Sequence, residues 1–321
     1  MPAKTKFAVK LGAATREAFG RALVELGREN KDIVVCDADL SKSTMTTYFA
    51  KEFPDRFVSC GIAEANMTAI GAGLAYAGKI PFVSSFSAFA LGKGFEQLRV
   101  TVAYPNLNFK MVGTHSGISI GEDGPSQMSV EEISLACSLP GFVVIAPADE
   151  ASTRVLVRLA AAHVGPVFIR CGRPKAPIIY NGGQKFEIGK SVELVEGSDV
   201  AIMANGLLVA QSILAAETLE NEGISARVID MHTVKPLDRE AIGRAAAETG
   251  AIVVAEEHLV QDGMGVRVAQ AVAEIHPCPM EFVGIQQTYA ESGQPEDLLD
   301  KYGLVARDVA AAVRKVMARK R

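Results

Sequence analysis

The chain has 321 residues, more than the roughly 100–200 of one ordinary domain, so two domains are expected. Hydrophobic residues make up 49% of the chain and charged residues 22%, which is typical of a soluble globular protein. The formal charge of −4 gives no electrostatic reason to expect nucleic acid as a partner.

The cysteines and the apolar stretches indicate the cellular compartment of the protein. The five cysteines form no C-x-x-C pair and their number is odd, which argues against a disulfide framework or a cysteine metal site. The longest apolar stretches, 65–78 and 80–92, fall short of the roughly 18 residues that a membrane span needs. Residues 1–6 have no apolar core behind them, so we expect no signal peptide. These features predict a cytoplasmic protein with reduced thiols and no membrane association.

Short β-branched runs alternate with segments of helical period along the chain. In the first half the predicted strands are 33–36, 57–59, 81–84, 109–113, 142–145 and 167–170. The predicted helices between them are 13–29, 64–77, 88–103, 130–138 and 150–163. After a connector with two prolines and a Gly-Gly pair, strands are predicted at 199–204, 226–231, 251–255 and 281–285. Their accompanying helices are predicted at 206–222, 238–248, 264–275 and 307–318.

This alternation predicts an α/β fold of two consecutive domains, each a mostly parallel sheet with helices on both faces. We place the first domain at 1–175, a linker at 176–190 and the second domain at 191–321. Ser129, followed by Glu132, predicts a capping box for the helix near 130–138.

Glu64 lies where a predicted strand gives way to a helix rich in Gly and Ala. Beside Ile62 and Met67, its carboxyl group is expected to be partly desolvated, which would suit it to share a proton. The alternative is an ordinary acid at a helix N-terminus, where the helix dipole favours negative charge.

Phe86 and Phe89 are three residues apart, so on a helical turn both rings would project to one side. Such a pair could clasp a flat heteroaromatic ring. The alternative is packing in the core, which the spacing alone favours.

A polar, glycine-rich loop follows the predicted strand 109–113. It carries His115, two acids and Gln127, and loops at the carboxyl ends of strands bind ligands in open α/β sheets. We therefore interpret the loop as functional. After strand 167–170, Arg170 and Arg173 offer planar cations suited to a phosphate, with a surface ion pair as the alternative.

Together these segments resemble the C-terminal portion of transketolases, which comprises a pyrimidine-binding domain and a last domain. The resemblance runs from about Ala14 to the C-terminus. Any one of its markers would be weak evidence, but the set is specific. The markers are Ile62-Ala-Glu-Ala-Asn-Met, Ser85-Phe-Ser-Ala-Phe, Gly121-Glu-Asp-Gly-Pro-Ser-Gln and Thr233-Val-Lys-Pro-Leu-Asp.

The resemblance implies thiamine diphosphate as the cofactor and Glu64 as the catalytic residue. In the family, the glutamate at this position hydrogen-bonds a ring nitrogen of the aminopyrimidine and so promotes ylid formation. Phe86 and Phe89 match the aromatic residues that hold this ring, and Ile62 matches an apolar residue that supports the bent cofactor. Gly92 stands where some members place a tyrosine, so one aromatic wall is thinner.

The resemblance also implies a site for sugar phosphates. Arg16 and Ser43 match family residues that bind the sugar phosphate, and Arg173 matches a third phosphate contact. His115 and Asp123 match polar residues that read the hydroxyl groups of the donor sugar.

Two further positions are interpreted through the resemblance. Gln127, at the cofactor site, stands where many bacterial and yeast members carry histidine, and glutamine there is more typical of animal-type transketolases. The change removes a titratable group. The last domain resembles one whose role in the family is oligomeric support, and within it we interpret His258 as structural.

The resemblance predicts a partner chain. Full-length transketolases begin with a domain whose Gly-Asp-Gly and later Asn bind Mg²⁺ (or Ca²⁺) and the diphosphate. Here Gln261-Asp-Gly and Glu122-Asp-Gly lack the leading glycine, so we expect no metal ligands in this chain. In the family the cofactor lies between domains of two subunits. We therefore expect an N-terminal subunit, a heterotetramer of two long and two short chains, and burial of the Gly/Ala helix after Glu64 in the interface.

Three alternatives share parts of this pattern. A deoxyxylulose-phosphate synthase usually has Asp-Gly-x-Thr-His where this chain has Asp123-Gly-Pro-Ser-Gln. The beta subunit of 2-oxo acid dehydrogenases also lacks the diphosphate domain, but that enzyme has no phosphorylated sugar to bind. A non-catalytic regulatory homologue is the third alternative, and the presence of Glu64 and Arg173 argues against it.

Overall fold

The predicted alternation of strands and helices builds two separate sheets. The structure, a computed structural model, describes residues 7–320; residues 1–6, on which the signal-peptide prediction rests, and residue 321 lie outside the described part. The strands are β1 (Leu11–Ala14), β2 (Ile33–Asp37), β3 (Phe57–Ser59), β4 (Ile80–Phe86), β5 (Lys110–Thr114), β6 (Val143–Ile145), β7 (Val167–Arg170), β8 (Lys175–Pro177), β9 (Val192–Val195), β10 (Val200–Ala204), β11 (Ala226–Asp230), β12 (Thr233–Lys235), β13 (Ile252–Leu259) and β14 (Met280–Ile285). The helices are α1 (Thr15–Glu29), α2 (Ser41–Thr44), α3 (Thr47–Glu52), α4 (Glu64–Tyr76), α5 (Ser87–Gly92), α6 (Phe95–Gln97), α7 (Glu132–Ser138), α8 (Glu150–Ala162), α9 (Leu208–Glu220), α10 (Arg239–Thr249), α11 (Met264–Ile275), α12 (Pro295–Lys301) and α13 (Ala306–Met317).

Every strand that the sequence predicts is present, with ends shifted by no more than four residues. The strands that the sequence missed are β1, β8, β9 and β12, each only three or four residues long. They pair at a sheet edge or, for β1 and β8, with one another. So short a run carries too little hydrophobic pattern to be told from a loop.

Two predictions about helices were wrong in detail. The segment 88–103 is not one helix, because it divides at Gly92 and Gly94 into α5, α6 and a π-helical turn over Leu98–Ala103. Glycine is a poor helix former, and two of them so close interrupt the pattern. The capping box is absent as well, since α7 begins at Glu132 without a side-chain cap and Ser129 pairs as an isolated bridge with Gly117.

The first sheet has seven strands in the order β12-β6-β7-β5-β4-β2-β3. Its neighbours are parallel except for β12, which runs antiparallel to β6 and pairs Thr233 with Ile145. Strand β12 belongs to the part of the chain predicted as the second domain, so that part returns to complete the edge of the first sheet. The predicted domain limits themselves stay a prediction.

The second sheet has five strands in the order β14-β13-β10-β11-β9, parallel except for the edge strand β9. The predicted α/β fold of two consecutive, mostly parallel domains is therefore confirmed. All five cysteines carry free thiols. Among residues 7–320, none of the helices combines the length and apolar character that crossing a bilayer requires.

Helix α4 shows why its sequence is so rich in small residues. Its inner face is buried, and a Cβ built at Gly71 would lie 2.6 Å from both the Phe109 ring and the Val83 methyl group. On the outer face, a Cβ built at Gly73 would meet no described atom within 4 Å. The glycine at 71 is thus required for close approach to the sheet, whereas the glycine at 73 is not.

We therefore expect opposite effects from the same substitution at these two positions. Gly71→Ala should destabilise the chain by about 1–3 kcal/mol, because the added methyl overpacks the contact with Phe109. Gly73→Ala should be neutral or stabilise by up to about 1 kcal/mol, because alanine is the better helix former. Denaturant unfolding of the two variants, followed by circular dichroism, measures the difference, and equal destabilisation by both would contradict this account of the packing.

Candidate active site

The candidate residues gather at the carboxyl edge of the first sheet. Strands β7, β5, β4, β2 and β3 are consecutive neighbours there, and each is followed by a segment that carries at least one predicted site residue. Carboxyl ends of parallel strands meet at one edge, where open α/β sheets bind ligands. The topology therefore brings together residues that lie far apart in the sequence.

Glu64 is the first residue of α4 and only 3% exposed. Its Oε2 lies 3.3 Å from Lys93 Nζ, and this ammonium also lies 4.4 Å from the centre of the Phe89 ring. This burial favours the desolvated carboxyl group over the alternative, a solvated acid placed at the helix N-terminus by the helix dipole. Lys93, which the sequence reasoning missed, connects Glu64 to the aromatic pair.

Phe86 and Phe89 stack on one another, with ring centres 5.7 Å apart and planes at 15°. Their placement differs from the predicted helical turn, because Phe86 is the last residue of β4 and only Phe89 lies on α5. The rings nevertheless face the same side. His115 stacks on Phe86 at 3.8 Å, which extends the aromatic surface.

His115 and Arg16 form a hydrogen-bonded pair next to this surface. Arg16 Nη1 lies 3.1 Å from His115 Nε2 and donates to the Ser43 carbonyl at 2.7 Å. Burial, then the charges of Arg16 and Arg173, lower the pKa of His115 to about 3. The imidazole is therefore neutral near pH 7, with Nε2 accepting from Arg16. Ser43 contributes its backbone here, and not its hydroxyl group.

Arg173 is held at the loop that follows β5. Its Nη1 lies 2.5 Å from Glu122 Oε2 and also donates to the Ile120 carbonyl. Arg16 and Arg173 line one cavity of about 400 Å³, and burial together with the charge of Arg173 lowers the pKa of Arg16. Two guanidinium groups in one cavity suit the binding of an anion.

Three predicted site residues lie outside this cluster. Ile62 is 79% exposed, and Asp123 is also exposed. Gln127 is half-buried and accepts a hydrogen bond from the neighbouring Ser126. The described part of the chain does not bring these three side chains into contact with His115 or Arg16.

Asp37, at the end of β2, is a residue that the sequence reasoning missed. Its carboxylate accepts hydrogen bonds from the Leu40 amide at 2.7 Å and from the Thr44 and Thr46 hydroxyl groups at 2.7 and 2.9 Å. Burial raises the pKa of Asp37, although these hydrogen bonds favour its charged form. The network fixes the loop that presents Ser43 to Arg16.

Backbone strain marks the same edge. Asp39, after β2, and His115, after β5, adopt left-handed backbone conformations with φ of 65° and 57°. Such conformations in residues other than glycine persist only where surrounding contacts impose them, and they cluster at functional sites. Strain is invisible in a sequence, so the left-handed conformation of Asp39 could not be predicted.

Arg170 is held by other groups of the chain and does not line the cavity, so the structure does not support the prediction of a phosphate contact at this residue. It is buried, with Nε 2.5 Å from Glu132 Oε1 and Nη2 donating to the Glu257 carbonyl at 2.8 Å. The Glu257 carboxylate in turn accepts from the Ser119 amide at 2.7 Å. Arg170 therefore joins the first domain to β13 and to the loop of the site.

The remaining polar candidate is His258 in β13. It is fully buried, and its Nδ1 lies 3.0 Å from the Leu259 carbonyl oxygen. Among residues 7–320, no group of three His, Cys, Asp or Glu side chains is arranged to hold a metal ion.

Comparison with known families matches both halves of the chain. Residues 12–178 match the transketolase pyrimidine-binding domain, and residues 189–309 match the transketolase C-terminal domain. The 6-deoxy-6-sulfo-D-fructose transketolase subunit of Clostridium sp. is 41% identical over 95% of this chain and 95% of its own length. Human transketolase is 37% identical over 99% of this chain but only 51% of its own length.

A solved structure gives the same result. The structure described as a split gene transketolase, inactive beta4 tetramer, superposes with a TM-score of 0.91 at 50% identity, covering 97% of this chain and all of its own. The resemblance found in the motifs is therefore confirmed, and the chain belongs to the transketolase family, of which it carries the pyrimidine-binding and C-terminal domains.

Proposed function

We propose that this chain is the C-terminal subunit of a two-chain, thiamine-diphosphate-dependent transketolase, which transfers a two-carbon ketol unit from a ketose phosphate to an aldose phosphate. The observation that carries the proposal is a buried Glu64 joined through Lys93 to stacked phenyl rings, beside a cavity with two arginines. Relatives that match over nearly their whole length support it, because they are named as transketolase subunits.

The residues present fit the pyrimidine end of the cofactor. A stacked aromatic pair next to a buried carboxyl group suits a flat, hydrogen-bonding ring. Glu64 would hold a proton at the ring nitrogen, and Phe86 and Phe89 would hold the ring. Ile62 and Gln127, which lie outside the cluster in this chain, would complete the site as the resemblance implies. The cofactor, when bound, supplies a centre that stabilises the carbanion of the two-carbon unit.

The cavity beside the aromatic pair fits a sugar phosphate. Arg16 and Arg173 bind the phosphate group, and Ser43 supports Arg16 through its carbonyl. His115, as a neutral imidazole, and Asp123 hydrogen-bond hydroxyl groups of the sugar. The site therefore recognises a polyol chain that ends in a dianion.

The partner we propose is an N-terminal subunit that binds Mg²⁺ (or Ca²⁺) and the diphosphate, in a heterotetramer that works in the cytoplasm on pentose phosphates. Helix α4 supports this assembly, because its outer face is mostly small or apolar, with the exposed amide of Asn66 as an exception. Ile62, just before the helix, is 79% exposed, Gly73 faces open space, and Tyr76 is 68% exposed. The similar split gene transketolase structure is described as a beta4 tetramer, which supports self-association of this chain.

Calorimetry of thiamine diphosphate with Mg²⁺ tests the proposal directly. We expect tight binding only when the chain is mixed with a candidate partner that carries Gly-Asp-Gly and a later Asn. Gly73→Trp should weaken that binding at least tenfold by blocking the interface, whereas Gln270→Trp, on an exposed face of α11, should not. Tight binding by the chain alone would contradict the split site, and no binding in either case would favour the regulatory homologue.

Glu64→Ala and Glu64→Gln test the catalytic assignment. Both should leave the fold intact and lower ketol transfer by the complex at least about 10²-fold, because proton transfer by a positioned side chain contributes 10²–10⁴-fold. Glu240→Gln, which changes an exposed acid in the first turn of α10, is the matched control and should keep full activity. Activity of Glu64→Ala within a fewfold of wild type would reject the assignment.

His115 is expected to remain neutral throughout the physiological pH range. Its imidazole resonances, assigned with His115→Asn, should not titrate between about pH 5 and 8. Because its folded pKa lies below the ordinary value, its contribution to stability is present above about pH 6.5 and is lost as the pH falls toward 3. Wild type should therefore lose about 2 kcal/mol more stability than His115→Asn between pH 7 and 5. Titration near pH 6.5 would show that the ring is not held neutral.

A further inference from the structure

Arg173, one of the two arginines proposed to bind the phosphate, already forms an ion pair with Glu122 of the same chain. Arg173 Nη1 lies 2.5 Å from Glu122 Oε2, and the two side chains are 34% and 51% exposed. An ion pair this exposed contributes little to the stability of a fold. Its place inside the proposed substrate site therefore points to a role in binding.

The cavity is a place where an anion is stabilised. Arg16, Glu122 and Arg173 all line it, and the two guanidinium groups are close enough for the charge of Arg173 to help lower the pKa of Arg16. In the described chain, Glu122 is the carboxylate that is bonded to Arg173 there. A phosphate that reaches Arg173 has to compete with it.

The second domain also lines the cavity around Glu122. Gln294 and Glu296 belong to the same lining as Glu122 and Arg173, and the hydrogen bond from Arg173 lowers the pKa of Glu122. Glu122 therefore shares the cavity with a cation of the first domain and an amide of the second.

The backbone around Glu122 keeps it at this junction. Gly121 and Gly124 have φ of 86° and 77°, which other residues adopt only with strain. A Cβ at Gly121 would lie 3.1 Å from the Pro295 ring, and one at Gly124 would lie 2.3 Å from Ser292 Oγ. The segment 292–295 thus packs directly on the loop and keeps Glu122 beside the second domain.

We propose that Glu122 is a specificity-determining residue: it occupies Arg173 as an internal anion, and the phosphate of a substrate binds by displacing it toward Gln294 of the second domain. The inference rests on the proposed sugar-phosphate site. A neutral sugar gains too little to break the Glu122–Arg173 pair, whereas a dianion gains more from two arginines than the single carboxylate does. The Glu122 carboxylate, by competing for Arg173, thus makes the site discriminate sugar phosphates from neutral sugars.

The test is calorimetry of D-ribose 5-phosphate with the full chain, which contains both arginines and needs neither cofactor nor partner for this measurement. Glu122→Gln should bind the sugar phosphate about two- to fivefold more tightly than wild type, because the competing charge is gone. Glu222→Gln is the matched control, since Glu222 forms a similarly exposed pair with Arg314 in the second domain, and it should change nothing. D-ribose should bind weakly to every variant.

Gln294→Ala separates displacement from direct contact. In the wild-type background it should weaken binding about two- to threefold, because the displaced carboxylate loses its second partner. In the Glu122→Gln background it should have no effect, which is the coupling that a double-mutant cycle detects. The same weakening in both backgrounds would show that Gln294 touches the ligand itself and would overturn the displacement.

Two other outcomes also decide the inference. If Glu122→Gln, with an unchanged melting temperature, binds D-ribose 5-phosphate no more tightly than wild type, Glu122 is not a competitor and the inference fails. If neither protein, alone or mixed with the partner, binds the sugar phosphate while the mixture still binds thiamine diphosphate, the phosphate site does not lie at Arg173. That result would overturn the inference and leave the proposed cofactor site standing.

Discussion

The arrangement of this molecule depends on one buried cluster of charges around Arg170. The guanidinium group donates to Glu132 of α7 and to the backbone of Glu257 in β13, and the Glu257 carboxylate accepts from the Ser119 amide in the loop after β5. A buried ion pair adds little net stability, but separating it leaves an uncompensated charge at a cost of several kcal/mol. The cluster therefore fixes the second domain and the site loop in one position relative to the first sheet.

This constraint makes the second domain part of the site. Strand β12 completes the edge of the first sheet, and the segment 292–295 packs on the glycines of the loop that carries Glu122. The cavity that holds Arg16 and Arg173 is consequently lined by both domains. A role limited to oligomeric support, as the resemblance implied, leaves these contacts unexplained.

The chain contributes one side of a larger site. Glu64, the phenyl pair and the arginines are already ordered by contacts within the chain, which keeps the cost of arranging them low when ligands bind. By contrast, Ile62 and the outer face of α4 stay exposed. Ordered polar groups next to an exposed, mostly apolar surface are what we expect where a second chain completes the site.

By itself, the sequence determined what depends on local pattern. Hydrophobic period gave the strands that build the two sheets. Residue type and strand position singled out Glu64, Phe86, His115 and Arg173 as candidates, and the resemblance to transketolases supplied the roles proposed for them. Tertiary structure decided what depends on partners distant in the chain. The burial of Arg170, the contact of Lys93 with Glu64, the crossing of β12 and the role of Asp37 each join residues that spacing cannot relate. Burial and pairing, which decide whether a charged side chain supports the fold or binds a ligand, exist only once the chain is folded.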